Sequence, residues 1–108
     1  SQRKILYENI ELDLVIPNTL ELKKNSENVI IVYFVKTSNV TEVQNKISEI
    51  KTIQEKDDNI WVISEYLLDI SQRSYTTNKI SFGEFLSDAQ KFIETKNMNK
   101  LNIFKTKM

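Results

Sequence analysis

The chain has 108 residues, and its 15 Lys and Arg residues balance its 15 Asp and Glu residues, so the formal net charge is zero. This length fits a single domain over residues 1–108 with one modest core, and the balanced charge disfavours a protein devoted to the nucleic-acid backbone. The absence of Cys and His excludes disulfides, thiolate metal sites and a histidine general base.

The first quarter of the chain has the alternating pattern of β-structure. Every second residue from Ile10 to Ile16 is apolar, which predicts a half-buried strand over residues 10–16. Residues 5–7 alternate at the other parity, so we expect a turn or bulge near Glu8–Asn9 to separate two strands. Beyond a turn at Pro17–Asn18, residues 19–24 favour a short return strand.

Two apolar runs predict the centre of a sheet. Residues 29–35 (VIIVYFV) are apolar throughout, which is typical of a strand buried on both faces, and residues 60–68 (IWVISEYLL) predict a second strand. Between them a helix is expected, because Asn39 with Glu42 three residues later forms a capping box. This helix should fray in residues 55–59.

The remaining chain predicts a loop, a helix and a tail. Residues 69–79 are polar and aperiodic, which indicates a loop. A second helix is predicted with Ser81 as its N-cap, Glu84 completing a capping box, and an end near Lys96–Asn97. In this arrangement Ile80 would pack on Phe85 as a hydrophobic staple. Residues 101–105 alternate weakly and would form an edge strand or a tail.

Together these elements predict an α/β (α+β) fold with the order β-β-(β)-α-β-α. The strands should form a small mixed sheet with two main helices packed on it. A parallel crossover is expected between residues 29–36 and 60–66, with the first strands in an antiparallel meander beside it.

The segments IELDLVI, NVIIVYFVKTSNV and NIWVISEY, within residues 10–66, resemble a degenerate core of the PD-(D/E)xK, or restriction-endonuclease-like, family. That resemblance implies an Asp on one strand and an acid-x-Lys on the next, with two acids holding Mg²⁺ and the lysine orienting a water. Asp13 and Lys36 fit two of these positions, but Phe34 stands where the second acid belongs. An alternative register, Glu21-Leu22-Lys23, restores acid-x-Lys but lacks a helix after it. The simpler interpretation is that Asp13 and Lys36 are solvated strand ends.

Three further stretches carry functional residue types. Arg73 and Tyr75 combine contact area with directional polar groups and would serve as interface anchors, unless Tyr75 is only half-buried in an ordinary loop. The acidic residues in 55–58 lack the spacing and glycine of a calcium loop, which favours a solvated helix end. Four lysines without a nearby acid follow Glu94 and could form a minor basic patch: Lys96, Lys100, Lys105 and Lys107.

These observations favour a non-catalytic binding or interaction domain without a cofactor, accessory to a larger protein or complex. A protein partner is expected, bound through the edge strand near Ile5–Tyr7, through Arg73 and Tyr75, or through Lys36. The first alternative is a Mg²⁺-dependent nucleic-acid hydrolase with Asp13 as a metal ligand and Glu21 or Glu42 as the second acid. Lys36 or Lys23 would then orient the water. The second is a non-cleaving nucleic-acid-binding module that uses Lys36, Arg73 and the lysine tail.

No apolar run approaches the roughly 18 residues that a membrane helix needs. The chain also begins without the apolar segment of a signal peptide. The sequence therefore predicts an intracellular protein, cytoplasmic or nuclear, with no membrane contact. It does not predict an oligomeric state.

Overall fold

A computed structural model describes the backbone of residues 4–106 and the side chains of residues 4–96. These residues form a mixed α+β domain with two sheets, which confirms the predicted fold class. The strands are β1 (Ile5–Tyr7), β2 (Ile10–Leu12), β3 (Leu14–Ile16), β4 (Ile30–Phe34), β5 (Ile60–Ser64) and β6 (Arg73–Thr76). The α-helices are α1 (Thr19–Lys24), α2 (Val40–Lys51) and α3 (Lys79–Thr106).

The main sheet has four strands in the order β3-β4-β5-β6. β3 is antiparallel to β4, whereas β4, β5 and β6 are parallel to one another. Helix α2 connects β4 to β5, as the crossover prediction required. The connection from β5 to β6, residues 65–72, contains no helix. Because three neighbouring strands are parallel, their carboxyl ends and the loops that follow them meet at one edge of the sheet.

β1 and β2 form a separate antiparallel hairpin in which Tyr7 pairs with Ile10. Glu8 and Asn9 make the two-residue turn with φ angles of 49° and 67°, the left-handed geometry of a tight hairpin. The predicted turn is therefore confirmed. The single strand predicted over residues 10–16 is wrong, since a bend at Asp13 divides it into β2 and β3.

Two apolar clusters cover the two faces of the main sheet. On one face, Val43, Ile47 and Ile50 of α2 pack with Ile31 and other sheet residues. On the opposite face, Phe85 and Ala89 of α3 pack with residues of β4, β5 and β6. Burial on both faces explains why β4 and β5 are apolar without alternation. Both strands were predicted, but β5 ends at Ser64, so the prediction of a strand to residue 68 is wrong.

Residues 19–24 form helix α1 and not the predicted return strand. Asn18 caps this helix, because its side-chain Oδ1 accepts the Glu21 backbone N–H at 2.9 Å. Leu22 is buried in the α2-side cluster, whereas Leu20, Lys23 and Lys24 of this short helix are exposed. The local hydrogen bonds of the cap thus prevail over the weak alternation of the sequence.

Several predictions for the last third of the chain are also wrong. Residues 73–76 belong to a strand, β6, within the predicted loop. Helix α3 begins at Lys79 and not after Ser81, because Asn78 is the N-cap and its Oδ1 accepts the Ser81 N–H at 2.8 Å. Ile80 is 79% exposed, so the predicted staple with Phe85 does not form. The backbone of helix α3 continues to Thr106, so the predicted end near Lys96–Asn97 is wrong, and residues 101–105 form neither an edge strand nor a tail.

The N-terminus of α2 follows the prediction closely. Asn39 Oδ1 accepts the backbone N–H groups of Thr41 and Glu42 at 2.9 and 3.2 Å. Helix α2 ends at Lys51, a few residues before the predicted fraying region. This cap fixes the point at which the chain leaves the carboxyl end of β4 and enters the helix.

Candidate functional site

Asp13 and Lys36, the two residues of the family resemblance, line one open cleft of about 330 Å³. The bend before β3 contributes Asp13, the end of β4 contributes Lys36, and α2 contributes Glu42 and Lys46. The cleft therefore contains a second acid, Glu42, as the hydrolase hypothesis required. Glu21 and Lys23 of the alternative register lie on α1 and are not among its lining residues.

The Asp13 carboxylate is already bound on both oxygens. Its Oδ1 accepts a hydrogen bond from Lys4 Nζ at 3.0 Å, and its Oδ2 accepts the Phe34 backbone N–H at 2.8 Å. The interaction with Asp13 raises the pKa of Lys4. The Asp13 side chain is 10% exposed, whereas the Lys4 side chain is 50% exposed, so the ion pair is open to water on the lysine side.

The hydrogen bond between the Asp13 carboxylate and the Phe34 N–H lies just beyond the point where the pairing of β3 with β4 ends. β3 pairs with β4 from Leu14–Val32 to Ile16–Ile30, and the chain then bends away at Asp13. The Phe34 N–H would have no strand partner at that level, and the Asp13 carboxylate supplies the acceptor. The Phe34 ring packs against the α3-side cluster, so this position serves the core.

A metal would have few free ligands here. Among the described residues, no group of three or more His, Cys, Asp and Glu side chains is placed to hold a metal ion. Tyr33 also lines the cleft, and burial, with the nearby charges of Asp13 and Glu42, raises the pKa of its hydroxyl. The Asp13 side chain thus connects the bend to β4. The other acid of the cleft, Glu42, has no side-chain hydrogen-bond or ion-pair partner in the described part of the chain.

A second cleft, of about 250 Å³, opens at the carboxyl edge of β4 and β5. The residues following β4 line one side of it and the residues following β5 line the other. Lys36 and Thr37 line both clefts, which are therefore neighbours. Ligands of open α/β sheets commonly bind at this edge, where loops leave the strands. Within residues 4–96, the Lys36 ammonium has no hydrogen-bond or ion-pair partner.

Tyr66 lines this second cleft and Leu67 follows it in the chain, and the sequence did not point to either residue. They are 70% and 73% exposed. Each side of the pair is anchored: the Tyr66 N–H donates to Ser64 Oγ, and the Leu68 N–H donates to Ser74 Oγ. Leu68 packs on the α2-side core. Because their neighbours are fixed, these two apolar side chains are presented to solvent in a defined position.

Arg73 and Tyr75 contact each other, but not as an exposed pair of anchors. Tyr75 is 6% exposed, and its hydroxyl donates to Asp88 Oδ2 at 2.8 Å and accepts from Arg73 Nη1 at 3.2 Å. Burial raises the pKa of Tyr75 to about 12, the hydrogen bond to Asp88 acts in the same direction, and Arg73 opposes it. The Arg73 guanidinium lies 4.9 Å from the Trp61 ring centroid. This network holds α3 against β6.

Arg73 and Lys36 are separated along the strand direction of the main sheet. Arg73 aligns with Trp61, which aligns with Val32, and Lys36 lies four residues beyond Val32. Four strand residues correspond to roughly 13 Å, so the two cations lie at different levels of the sheet. The side chains of Lys100, Lys105 and Lys107 lie outside the described residues, and Lys96 lies over the Phe92 ring.

The acidic residues Asp57 and Asp58, within 55–58, make contacts that stabilise the fold. Asp57 accepts a hydrogen bond from Gln72 Nε2 and pairs with Lys51 at 3.2 Å, and these contacts lower the pKa of Asp57. The Asp58 carbonyl accepts the Trp61 indole N–H. These contacts tie the end of the α2 connection to β5 and to the chain before β6.

Fold and site together define a small α+β domain with two adjoining clefts at Lys36. In comparisons with known proteins, no family model, curated protein or solved structure matched this chain. Among the described residues, no helix is both long enough and apolar enough to span a membrane.

Proposed function

We propose that this chain is a non-catalytic binding domain that recognises a protein partner at the carboxyl edge of its main sheet. The observation that carries the proposal is the exposed pair Tyr66 and Leu67, of which Tyr66 lines the cleft and Leu67 is its neighbour in the chain. Large apolar side chains that are held in place in water gain most from being covered by another protein.

The residue types at this edge suit protein recognition. Tyr66 offers a broad ring with a polar hydroxyl, a combination that is enriched in interface hot spots. Lys36, which has no hydrogen-bond or ion-pair partner within residues 4–96, provides a cation beside the cleft, and Glu65 provides an anion on the other side. A partner that places an apolar side chain on Tyr66 and Leu67 and an acidic group on Lys36 would match this surface.

This surface replaces Arg73 and Tyr75 as the proposed anchor. Tyr75 is buried and its hydroxyl is engaged inside the domain, so its ring is not accessible to a partner. The edge of β1 is a secondary candidate, since β1 pairs only with β2 in the described part of the chain and Leu6 is 68% exposed. Its three residues offer few backbone groups for an added strand.

The proposal is tested by comparing the proteins that co-purify with the tagged chain and with two variants. Tyr66→Ser/Leu67→Ser should lose a partner that the wild type retains. Leu20→Ser removes a similarly exposed apolar residue, 65% exposed, from α1 on another part of the surface and should retain the partner. Retention by all three proteins, with equal yield, would count against the carboxyl edge as the binding surface.

A second candidate function is metal-dependent hydrolysis of nucleic acid, and the shared cleft of Asp13, Lys36 and Glu42 favours it. In that case Asp13 and Glu42 would ligate Mg²⁺ and Lys36 would orient a water. The pairing of Asp13 with Lys4 and with the Phe34 N–H competes with this role, because binding the metal would require at least one of these contacts to be released.

This alternative is tested by adding Mn²⁺ and following backbone amide NMR signals. A metal held by Asp13 and Glu42 would broaden the Asp13, Phe34 and Glu42 amides first, and Glu42→Gln would abolish the effect. Broadening spread over the exposed acids, unchanged in Glu42→Gln, would reject the hydrolase function.

A further inference from the structure

Gly83, the single glycine of the chain, lies inside helix α3 without a reason in its own fold. Glycine is among the least favourable residues in a helix interior. Its φ angle is not positive, and a Cβ at this position would meet nothing within 4 Å. Neither backbone conformation nor packing within the described residues therefore accounts for it.

The same side of α3 carries exposed apolar residues at heptad spacing. Gly83, Leu86, Gln90 and Ile93 follow one another at intervals of three, four and three residues, the spacing of a helix-pairing seam. Leu86 is 54% exposed and Ile93 is 37% exposed. This seam is distinct from the face of α3 that packs on the sheet through Phe85 and Ala89.

We propose that this seam pairs antiparallel with the α3 helix of a second copy of the chain. In an antiparallel heptad pairing, Ile93 of the second copy lies opposite Gly83, and Leu86 lies opposite Gln90. The missing side chain at Gly83 then provides the space that Ile93 fills, and symmetry repeats the fit at the other end of the seam. The second copy thus supplies the contact that the single copy lacks.

The charges along α3 favour this occupant and this direction. Lys79 lies at the start of the seam and has no ion-pair partner among the described residues, whereas Glu94 lies at its far end and accepts only from Gln90 Nε2. Antiparallel pairing brings Lys79 within about one helical turn of Glu94 of the second copy, on both sides of the symmetry axis. Parallel pairing would instead place like charges at the same level.

The test is the mass of the protein in solution, measured by sedimentation equilibrium from about 10 μM to about 1 mM, the range of a weak dimer. The expected mass rises with concentration from 12.7 kDa toward twice that value. Gly83→Leu should weaken association at least tenfold without lowering the thermal unfolding midpoint, because the added side chain enters open space in the single copy. Lys91→Leu adds the same side chain to an exposed position off the seam and should associate like the wild type.

A charge exchange provides the second readout. Lys79→Glu and Glu94→Lys should each weaken association, and the double variant should recover it, because the pair is re-formed with its signs reversed. The proposal is overturned if the wild type remains at 12.7 kDa throughout, or if Gly83→Leu associates as strongly as the wild type. It is also overturned if the double charge variant is weaker than both single variants.

Discussion

Replacing Asp13 by Ala tests whether this carboxylate holds the fold together. The Phe34 N–H, which is partly buried, would lose the acceptor that it has in the described part of the chain, and a hydrogen bond to a charged group contributes about 1.5–3 kcal/mol. The ion pair with Lys4 adds less than about 1 kcal/mol, because the Lys4 side chain is 50% exposed. We therefore expect Asp13→Ala to lower the free energy of unfolding by about 2–4 kcal/mol.

Two companion variants separate the hydrogen bond from the ion pair. Asp13→Asn keeps an oxygen that can accept the Phe34 N–H and should cost about 1 kcal/mol. Lys4→Met removes only the ion pair and should cost less than about 1 kcal/mol. Urea unfolding, followed by circular dichroism and by the fluorescence of the single tryptophan, Trp61, measures all three. The reasoning is refuted if Asp13→Ala lies within about 0.5 kcal/mol of wild type, or if Asp13→Asn is equally destabilised.

Three further predictions concern alkaline pH, the helix glycine and the hairpin turn. The pKa of Tyr75 is raised to about 12, so the folded state favours the neutral hydroxyl. The free energy of unfolding of the wild type should therefore fall by about 2–3 kcal/mol as pH rises from about 10 to 12, and that of Tyr75→Phe should fall less. Urea unfolding at pH 9 and at about pH 11.5 measures this difference, and equal losses would contradict it. Gly83→Ala should raise the free energy of unfolding by about 1 kcal/mol, and an unchanged thermal midpoint would count against an open helical site. Replacing Glu8-Asn9 by Asn-Gly should add about 0.5–1 kcal/mol, since both positions have positive φ; a lower urea midpoint would argue against this turn geometry.

The central strands and helix α2 could be predicted because their signals agree at every level. The apolar runs of β4 and β5 have one physical explanation, burial on both faces, and both faces are covered. The Asn39 cap and Glu42 mark the start of α2 by local hydrogen bonds alone. The start of α2 can therefore be located from residues that are close in sequence.

β6 could not be predicted in the same way. Residues 73–76 (RSYT) are polar apart from Tyr75, and they are a strand because β5 offers a parallel partner and α3 covers one face. Helix α1 did carry a usable signal, since Asn18 followed by Glu21 has the same cap spacing as Asn39 followed by Glu42. The competing signal is the alternation of Leu20 and Leu22, which is typical of a strand.

The start of α3 was ambiguous in a specific way. Asn78 and Ser81 are both good N-cap residues, three positions apart. The helix begins after Asn78, and Ser81 Oγ instead accepts the Thr76 N–H at 2.8 Å. Only the position at which β6 ends decides between the two caps, and that position depends on the sheet.

The candidate site was predictable only in part. Asp13 and Lys36 do meet in one cleft, and Glu42 joins them, but the contacts of Asp13 with Lys4 and Phe34 depend on the three-dimensional bend. The exposure of Tyr66 and Leu67 was not predicted, because both lie in residues 60–68, which the sequence predicts as one strand. Their exposure follows from the strand ending at Ser64.

The most direct test of the proposed function is photo-crosslinking in cells from a benzoylphenylalanine placed at position 67, compared with one at position 20. The two positions are 73% and 65% exposed, so the reactive group has a similar accessibility at both positions. A partner at the carboxyl edge predicts one discrete crosslinked protein from position 67 and none from position 20, and its loss when Tyr66→Ser is added. A discrete adduct from position 20 alone, or the same adduct from both positions, would contradict the proposal.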